Sequence, residues 1–398
     1  MILNSSLDSY KIIFLNQMAG PLFRELAEDL SERWSPCLLY TGHPDTIRWS
    51  QGGNLYVKEA PVYDRQNYLT RFFSWIHYFF RAIRLLATQQ KHTMIFIVSN
   101  PPFLGLAGLI FQLIKRMRYV ILVYDVYPDI LVCTGKIKNR FFAACWDVFN
   151  RIIYEHASLV LTIDKDMSKM LEKRLRVSCN NGQGVFTIYP WADISNIKPM
   201  QKDRNWFVEN HNLKYETIVL YSGNMGHTHP IEPLLHAATE LGSSPDIHFL
   251  FIGEGEKYSL VEQHIKTYKL QNITLLPFQP EEVLPYSMAA GDIGIVAYEN
   301  GSQGCMLPSK TFYYMAAGLT PLIISHRETH FSNLIEKMAC GTRVGMLSGS
   351  ELANVIQGFH SDRQRLEHFK KNSRAAAVQL FSRKNTVQFE KVLLEIGI

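Results

Sequence analysis

Thr217-Ile-Val-Leu-Tyr-Ser-Gly-Asn-Met-Gly226 is the stretch whose reading decides the fold class. The run Thr217 to Tyr221 reads as a buried strand, small residues turn the chain, and Ile231, Leu234, Leu235 and Ala238 recur at helical spacing just beyond Pro230. Downstream the rhythm repeats in His248-Phe-Leu-Phe-Ile252, Ile273-Thr-Leu-Leu276, Ile293-Gly-Ile-Val-Ala297 and Pro321-Leu-Ile-Ile-Ser325. Upstream it is found at residues 11–16, 37–40, 94–98, 120–124, 159–163 and 185–189. Continuous apolar strands alternating with helices imply parallel sheets covered on both faces. The polar stretch 197–212 breaks the rhythm and reads as a linker. The pattern predicts an α/β chain of two Rossmann-like, doubly wound domains, residues 1–200 and 213–380. Ligands of such folds bind at the carboxyl ends of the strands, so an interdomain cleft is expected. A closing helix within 381–398, from about Lys384 to Glu395, is expected to pack back on the first domain.

Composition excludes several classes. A chain of 398 residues with 47% apolar and 19% charged residues has the balance of a folded protein of two ordinary domains. The net charge of +5 is mild, and no arginine-rich arm or zinc-finger spacing points to nucleic acid. The cysteines (Cys37, Cys133, Cys145, Cys179, Cys305 and Cys340) are scattered, which suits reduced thiols in the cytoplasm. Residues 1–10 lack the features of a signal peptide, and the greasiest run, 103–114, is far short of the roughly 20 residues a membrane span needs. The expectation is a cytoplasmic protein without a spanning segment.

Three junctions carry the chemistry. In the turn 223–226, glycine lets backbone approach a ligand closely, and amides near a helix start favour an anion; a plain tight turn is the alternative. Gly253-Glu-Gly-Glu256 follows the next strand and by itself is only a loop. Met306-Leu-Pro-Ser-Lys310 leads into helical residues 311–317 closed by Gly318. Pro308 suits the first turn, Ser309 can cap it, and Gly318 suits the exit. Lys310 in a first turn opposes the helix dipole, which is costly unless an anion sits nearby. In the first half, Asp125 lies just past a buried strand end, where a carboxylate can orient an acceptor hydroxyl, support positive charge, or merely cap the next turn. Asp129 reads as structural. Asp164 and Asp166 open a helix (Met167, Met170, Leu171, Leu175) and read as capping residues rather than a metal pair.

In order along the chain, Tyr221-Ser-Gly-Asn-Met-Gly226, Phe251-Ile-Gly-Glu-Gly255, Ile273-Thr-Leu-Leu-Pro-Phe-Gln-Pro280, Ala289-Ala-Gly-Asp-Ile-Gly-Ile-Val296 and Pro308-Ser-Lys310 before Met315-Ala-Ala-Gly318 resemble the donor half of glycosyltransferase family 4. The resemblance is to the branch that builds bacterial surface polysaccharides such as colanic acid and O-antigen. Ser99-Asn-Pro-Pro-Phe103 and Tyr124-Asp-Val-Tyr-Pro-Asp129 resemble the acceptor half of that branch. The resemblance implies a GT-B fold, retention at the anomeric carbon, a nucleotide-sugar donor and a saccharide or lipid-linked saccharide acceptor. It implies no cofactor and no essential metal, because a helix terminus and basic side chains would stabilise the departing diphosphate. Carried over residue by residue, it places Gly223, Asn224, Gly226, Gly253 and Gly255 at the donor, with Gly20 facing the phosphates from the first domain. Phe278 would flank the base, and Pro308, Ser309, Lys310 and Tyr313 would complete the donor site. Cys305 and Tyr313 stand where the family often has glutamates, the second of which binds the donor ribose. His227 and His229 stand where a basic pair is usual; surface-loop histidines are the alternative.

Other readings have their own sequence tests. A dehydrogenase lacks its Gly-x-Gly-x-x-Gly turn here. A sugar-nucleotide 2-epimerase would share the fold, and a non-catalytic sugar-nucleotide-binding subunit would share the site. The aromatic run 72–80 and the basic residues Lys115, Arg116, Arg118, Lys136, Lys138 and Arg140 suggest either ordinary core and solvated surface or peripheral contact with an anionic membrane.

Overall fold

The computed structural model describes residues 10–48, 53–64, 68–175, 184–226, 229–299, 301–345 and 348–397. The chain forms two units, one of residues 1–132, 137–189 and 383–398, the other of residues 133–136 and 190–382.

The first unit carries seven strands: β1 (Ile12–Leu15), β2 (Cys37–Thr41), β3 (Leu55–Glu59), β4 (Met94–Val98), β5 (Tyr119–Val123), β6 (Leu159–Thr162) and β7 (Val185–Thr187). They pair in the order β3-β2-β1-β4-β5-β6-β7, and every pairing is parallel. β1, β2, β4, β5 and β6 are buried along their whole length, as continuous apolar runs demand of a sheet covered on both faces. The last helix, Thr386–Glu395, belongs to this unit; its Phe389 ring lies 6.4 Å from Phe96, and Arg33 pairs with Glu390 at 2.8 Å.

The second unit carries β8 (Thr217–Ser222), β9 (Ile247–Ile252), β10 (Ile273–Leu276), β11 (Ile293–Ala297), β12 (Thr320–Ile324) and β13 (Thr342–Val344), in the parallel order β10-β9-β8-β11-β12-β13. Both sheets are therefore doubly wound. Strand order reverses between β1 and β4 in one and between β8 and β11 in the other, which opens a crevice at the carboxyl ends there.

Two edge strands escape the sequence reading. β3 is half polar and partly exposed, and β13 is three residues long with none buried, so neither shows an apolar run. The stretch 197–212 is not a bare linker. It carries a 3-10 turn, Lys202–Arg204, and a short helix, Trp206–Asn210, whose Phe207 is fully buried and whose first turn is capped by the Asn205 side chain at 3.0 Å.

The switch point of the second sheet is splayed. β8 pairs with β9 along six residues but with β11 only at Val219 and Leu220. Past Leu220 the Ser222 amide has no strand partner on the β11 side, and the Tyr314 hydroxyl accepts from it at 2.8 Å. Tyr314 reaches that amide by laying its ring on Gly294, where a Cβ would come within 2.5 Å of the ring. A glycine inside a strand marking such a close approach is a familiar signal.

At the amino edge, Asp292 is almost fully buried; it accepts from the Ile218 amide at 2.9 Å, from Lys202 at 2.6 Å and from Lys370 at 2.9 Å. Burial alone would raise its pKa, but the two ammonium groups prevail and hold it below the usual carboxylate range. One end of the sheet is thus closed by satisfied charge.

Tyr314→Phe should cost about 1 kcal/mol of stability, because it strands a partly buried backbone donor without changing shape. Denaturant unfolding of variant and wild type reads this directly, and an unchanged midpoint would refute it.

Candidate functional site

Three glycines build the floor. Gly223, Gly253 and Gly255 have φ of +131°, +151° and +134°, a region that L side chains rarely adopt. A Cβ on Gly253 would collide with the Gly223 carbonyl oxygen, and one on Gly255 would come within 2.7 Å of the Met225 carbonyl. The two loops are laced together by backbone bonds: Gly223 N–H to Ile252 O at 2.9 Å, Met225 N–H to Glu254 O at 2.7 Å, and Lys257 N–H to Met225 O at 2.9 Å. The turn glycines therefore serve loop-on-loop packing. Of the turn 223–226, whose backbone the sequence offered to an anion with a plain tight turn as the alternative, the Gly223 and Met225 amides are engaged within the protein. Nor is the turn itself a helix start, since the next helix runs Glu232–Glu240. Asn224 is exposed, and its carbonyl accepts from the Tyr221 hydroxyl at 2.7 Å.

Above this floor stands Lys310. It opens the helix Lys310–Ala317, and its Nζ lies 3.9 Å from the centroid of the Tyr221 ring. The same Nζ is 3.5 Å from where a Gly223 Cβ would be. The side chain is partly exposed as a whole, but its nitrogen is buried and has no hydrogen-bond partner among the described residues. Burial pushes its pKa down to about 7. The π face of Tyr221 attracts the ammonium but supplies no acceptor.

His229 and Glu299 face the same crevice, with Nδ1 3.8 Å from Oε1. Burial pushes the His229 pKa down to about 4, the Lys310 cation adds to this, and Glu299 opposes it. The imidazole is therefore neutral at pH 7. Lys257 fixes the His229 carbonyl at 2.6 Å and pairs with Glu232 at 2.8 Å. His227 lies outside the described residues.

Ser309 does not cap the helix as the sequence suggested. Its φ and ψ, −61° and −28°, are already helical, so its hydroxyl cannot reach back to the first-turn amides. The Pro308 carbonyl accepts from the Thr311 amide and hydroxyl instead, at 3.2 and 2.8 Å. Gly318 closes the helix in the left-handed region, at φ +78°. Pro308 and Cys305 are buried, Tyr313 is half-buried, and Phe278, just past β10, is 50% exposed. The structure thus gathers Gly223, Lys310 and His229 into one crevice, with Gly253 and Gly255 packed behind them. Sequence reasoning missed Tyr221 as the platform for the ammonium, Glu299 and Tyr314. Only Tyr314 left a signal, the glycine at 294 inside an apolar strand.

In the first unit, Gly20 precedes the helix Pro21–Arg33 with ordinary extended backbone, and its amide donates to Met18 O at 2.9 Å. Asp125 follows β5; its amide and that of Tyr124 donate to the Ser99 hydroxyl at 3.2 and 3.0 Å. That hydroxyl ties the loop after β4 to the loop after β5. Arg174 grips both Asp129 oxygens at 2.8 and 2.9 Å, a structural pairing. Asp164 accepts from the Asp166 amide at 3.0 Å at the start of the helix Lys165–Leu175, and burial raises its pKa to about 6. Among the described residues no three His, Cys, Asp or Glu side chains gather as a metal group.

Known proteins of the same architecture are numerous. HepE of Anabaena, solved in complex with UDP-glucose, matches with a TM-score of 0.71 at 17% identity, over 97% of this chain and 99% of that one. This likeness defines the fold as GT-B, built from two Rossmann-like units. Residues 202–376, a little under half of the chain, match the family Glycosyl transferases group 1, and this part of the chain is similar to that family. Probable glycosyltransferase WbjE of Pseudomonas aeruginosa is 24% identical over 266 residues, 66% of this chain and 65% of that protein. Putative colanic acid biosynthesis glycosyl transferase WcaI of Escherichia coli is 27% identical over 228 residues, 55% of this chain and 54% of that one. The matched stretch thus covers less than two thirds of either relative.

A buried lysine of lowered pKa makes stability depend on pH. Between about pH 7 and the unfolded lysine value near 10, the unfolded chain binds a proton that the native chain does not, so stability from this group rises with pH. The slope approaches about 1.4 kcal/mol per pH unit for one full proton. Lys310→Met should raise the melting temperature at pH 7 and flatten the rise above it. Parallel pH–stability curves for the two proteins would count against a buried ammonium.

Proposed function

We propose that the protein transfers a sugar from a nucleotide-sugar donor, with retention, to a saccharide acceptor carried on a lipid, in surface-polysaccharide synthesis at the cytoplasmic face of the membrane. The carrying observation is the Lys310 ammonium, buried without a hydrogen-bond partner among the described residues beside the Gly223 turn. In sugar transfer the anomeric carbon exchanges its bond to a diphosphate oxygen for one to the acceptor hydroxyl, and negative charge grows on the leaving diphosphate. A preorganised cation meets that charge without reorganising, which is where such sites gain most of their rate. Lys310 takes this role, while Asn224, Gly226 and Ser309 line the phosphates and Phe278 flanks the base. Tyr313, in the place of the family's glutamate, faces the ribose. Asp125 orients the acceptor hydroxyl or supports positive charge at the anomeric carbon. The name of WbjE supports sugar transfer, that of WcaI supports the class of product, and UDP, which occupies HepE, is the first nucleotide to try.

Lys310→Ala should cut turnover roughly a hundredfold, a loss of about 2.7 kcal/mol of transition-state stabilisation, while leaving the protein folded. Near-normal turnover in the folded variant would end the assignment. Trials with and without lipid-linked acceptor separate transfer from epimerisation, and diphosphate binding without any turnover would indicate a binding subunit.

Diphosphate binding should raise the Lys310 pKa, since an anion favours the charged form. Binding above pH 7 then takes up a proton, and affinity should fall as pH rises from about 7 towards 10, a trend that Lys310→Met abolishes. Calorimetry in two buffers of different ionisation enthalpy reads the proton count. Turnover should also persist in excess chelator; loss restored by magnesium or manganese would contradict that.

A further inference from the structure

The first unit wears several of its helices inside out. The helix Tyr68–Ala87 buries Tyr78 and Phe79 but turns Leu69, Phe72, Phe73 and Phe80 outward, and Leu69 and Phe73 are 71% and 66% exposed. The helix Arg140–Glu155 does the same with Phe141, Val148 and Phe149, Phe141 being 77% exposed. The helix Gly105–Lys115 packs against both and exposes Leu113 and Ile114. Spacings of i, i+3, i+4 and i+7, i+8 make the outward sets of the first and third helices stripes, and with Leu113 and Ile114 of the helix that packs against both they amount to more apolar surface than scattered exposed residues explain.

Its charge selects the partner. From Arg65 to Glu155 the chain holds four carboxylates, Asp125, Asp129, Asp147 and Glu155; Arg174 holds Asp129 and Asp147, and Arg151 pairs with Glu155. Exposed cations flank the stripes: Arg81 and Arg84 on the first helix, Arg116 after the middle one, Lys138 and Arg140 at the start of the third. A second copy would bring like charges together across the contact, whereas an anionic bilayer takes both the aromatics and the cations.

We infer that this three-helix face docks on an anionic lipid surface and presents the Asp125 edge to it, an inference that rests on the lipid-borne acceptor proposed above. Each of the three helices packs on the sheet as a crossover between parallel strands and so starts at the carboxyl edge, where Asp125 lies. The Tyr127 ring, two residues past Asp125, stacks on Trp146 at 6.0 Å, and Trp146 meets the exposed Phe142 at 5.9 Å. An aromatic path thus leads from the outer face to the Asp125 loop.

The test is flotation of the whole protein with vesicles of phosphatidylcholine alone or with about a third phosphatidylglycerol. Binding should need the anionic lipid and should weaken as salt rises, as screening shortens the reach of surface charge. Phe73→Ser with Phe141→Ser, and separately Lys138→Glu with Arg140→Glu, should each weaken binding roughly tenfold or more. These side chains are exposed, and an unchanged UDP-induced thermal shift certifies folding and the donor site. Failure of wild type to bind anionic vesicles at low salt, or binding indifferent to both double variants, overturns the inference. So does a dimer that Phe73→Ser with Phe141→Ser dissociates, since the face then belongs to a second copy. Loss of the UDP shift in wild type would instead strike at the nucleotide-sugar reading.

Discussion

Everything in the second unit turns on one backbone amide that its sheet leaves without a partner. β8 and β11 part after Leu220, and the donor of Ser222 would be stranded in the gap. The Tyr314 hydroxyl takes it, and it can do so only because Gly294 has no side chain under the ring. A buried amide left unmade costs more than an average hydrogen bond gains, so the pairing decides whether the strands can diverge at all. The same ring fixes the helix that begins at Lys310, one turn earlier in the chain. The gap and the cation above it thus share one contact, with Tyr314 in the same helix as Lys310.

The two ends of this sheet treat charge in opposite ways. At the amino edge Asp292 is buried with two lysines and a backbone donor, so its cost of desolvation is offset by close partners. At the carboxyl edge Lys310 is buried with an aromatic face and no acceptor. A fold optimised for stability alone would treat both ends alike. Local rules broken without compensation are most informative where they sit in a crevice at a topological switch point, and that is where this one sits.

How much of this was legible depended on what each residue does. Fully buried strands announce themselves because every position is apolar, so both sheets could be read, apart from β3 and β13, whose edge positions remove that constraint. Gly253 and Gly255 showed where backbone had to come close, but not to what. They face the neighbouring loop, and only three-dimensional packing reveals that two turns far apart in sequence share a backbone ladder. Ser309 misled because capping residues are recognised by type, whereas capping requires an extended backbone that this position lacks. The outward aromatics at 72–80 were visible as residues, yet helical periodicity alone does not say which of two apolar faces is turned to the sheet.

Among the described residues no carboxylate neutralises Lys310, whose pKa is set by burial alone. Glu299 lies in the same crevice, but it faces His229, and that histidine, driven neutral by burial and by the lysine, lends it no full counter-charge. Had Glu299 paired with Lys310, the ammonium would have kept a pKa near its ordinary value and the fold would have gained, since a close opposite charge favours the ionised form. An incoming anion would then have had to compete with a carboxylate for the ammonium. As built, Lys310 rests against an aromatic face and in no ion pair, so an anion that enters favours its charged form, with uptake of a proton above pH 7, and has no salt bridge to break.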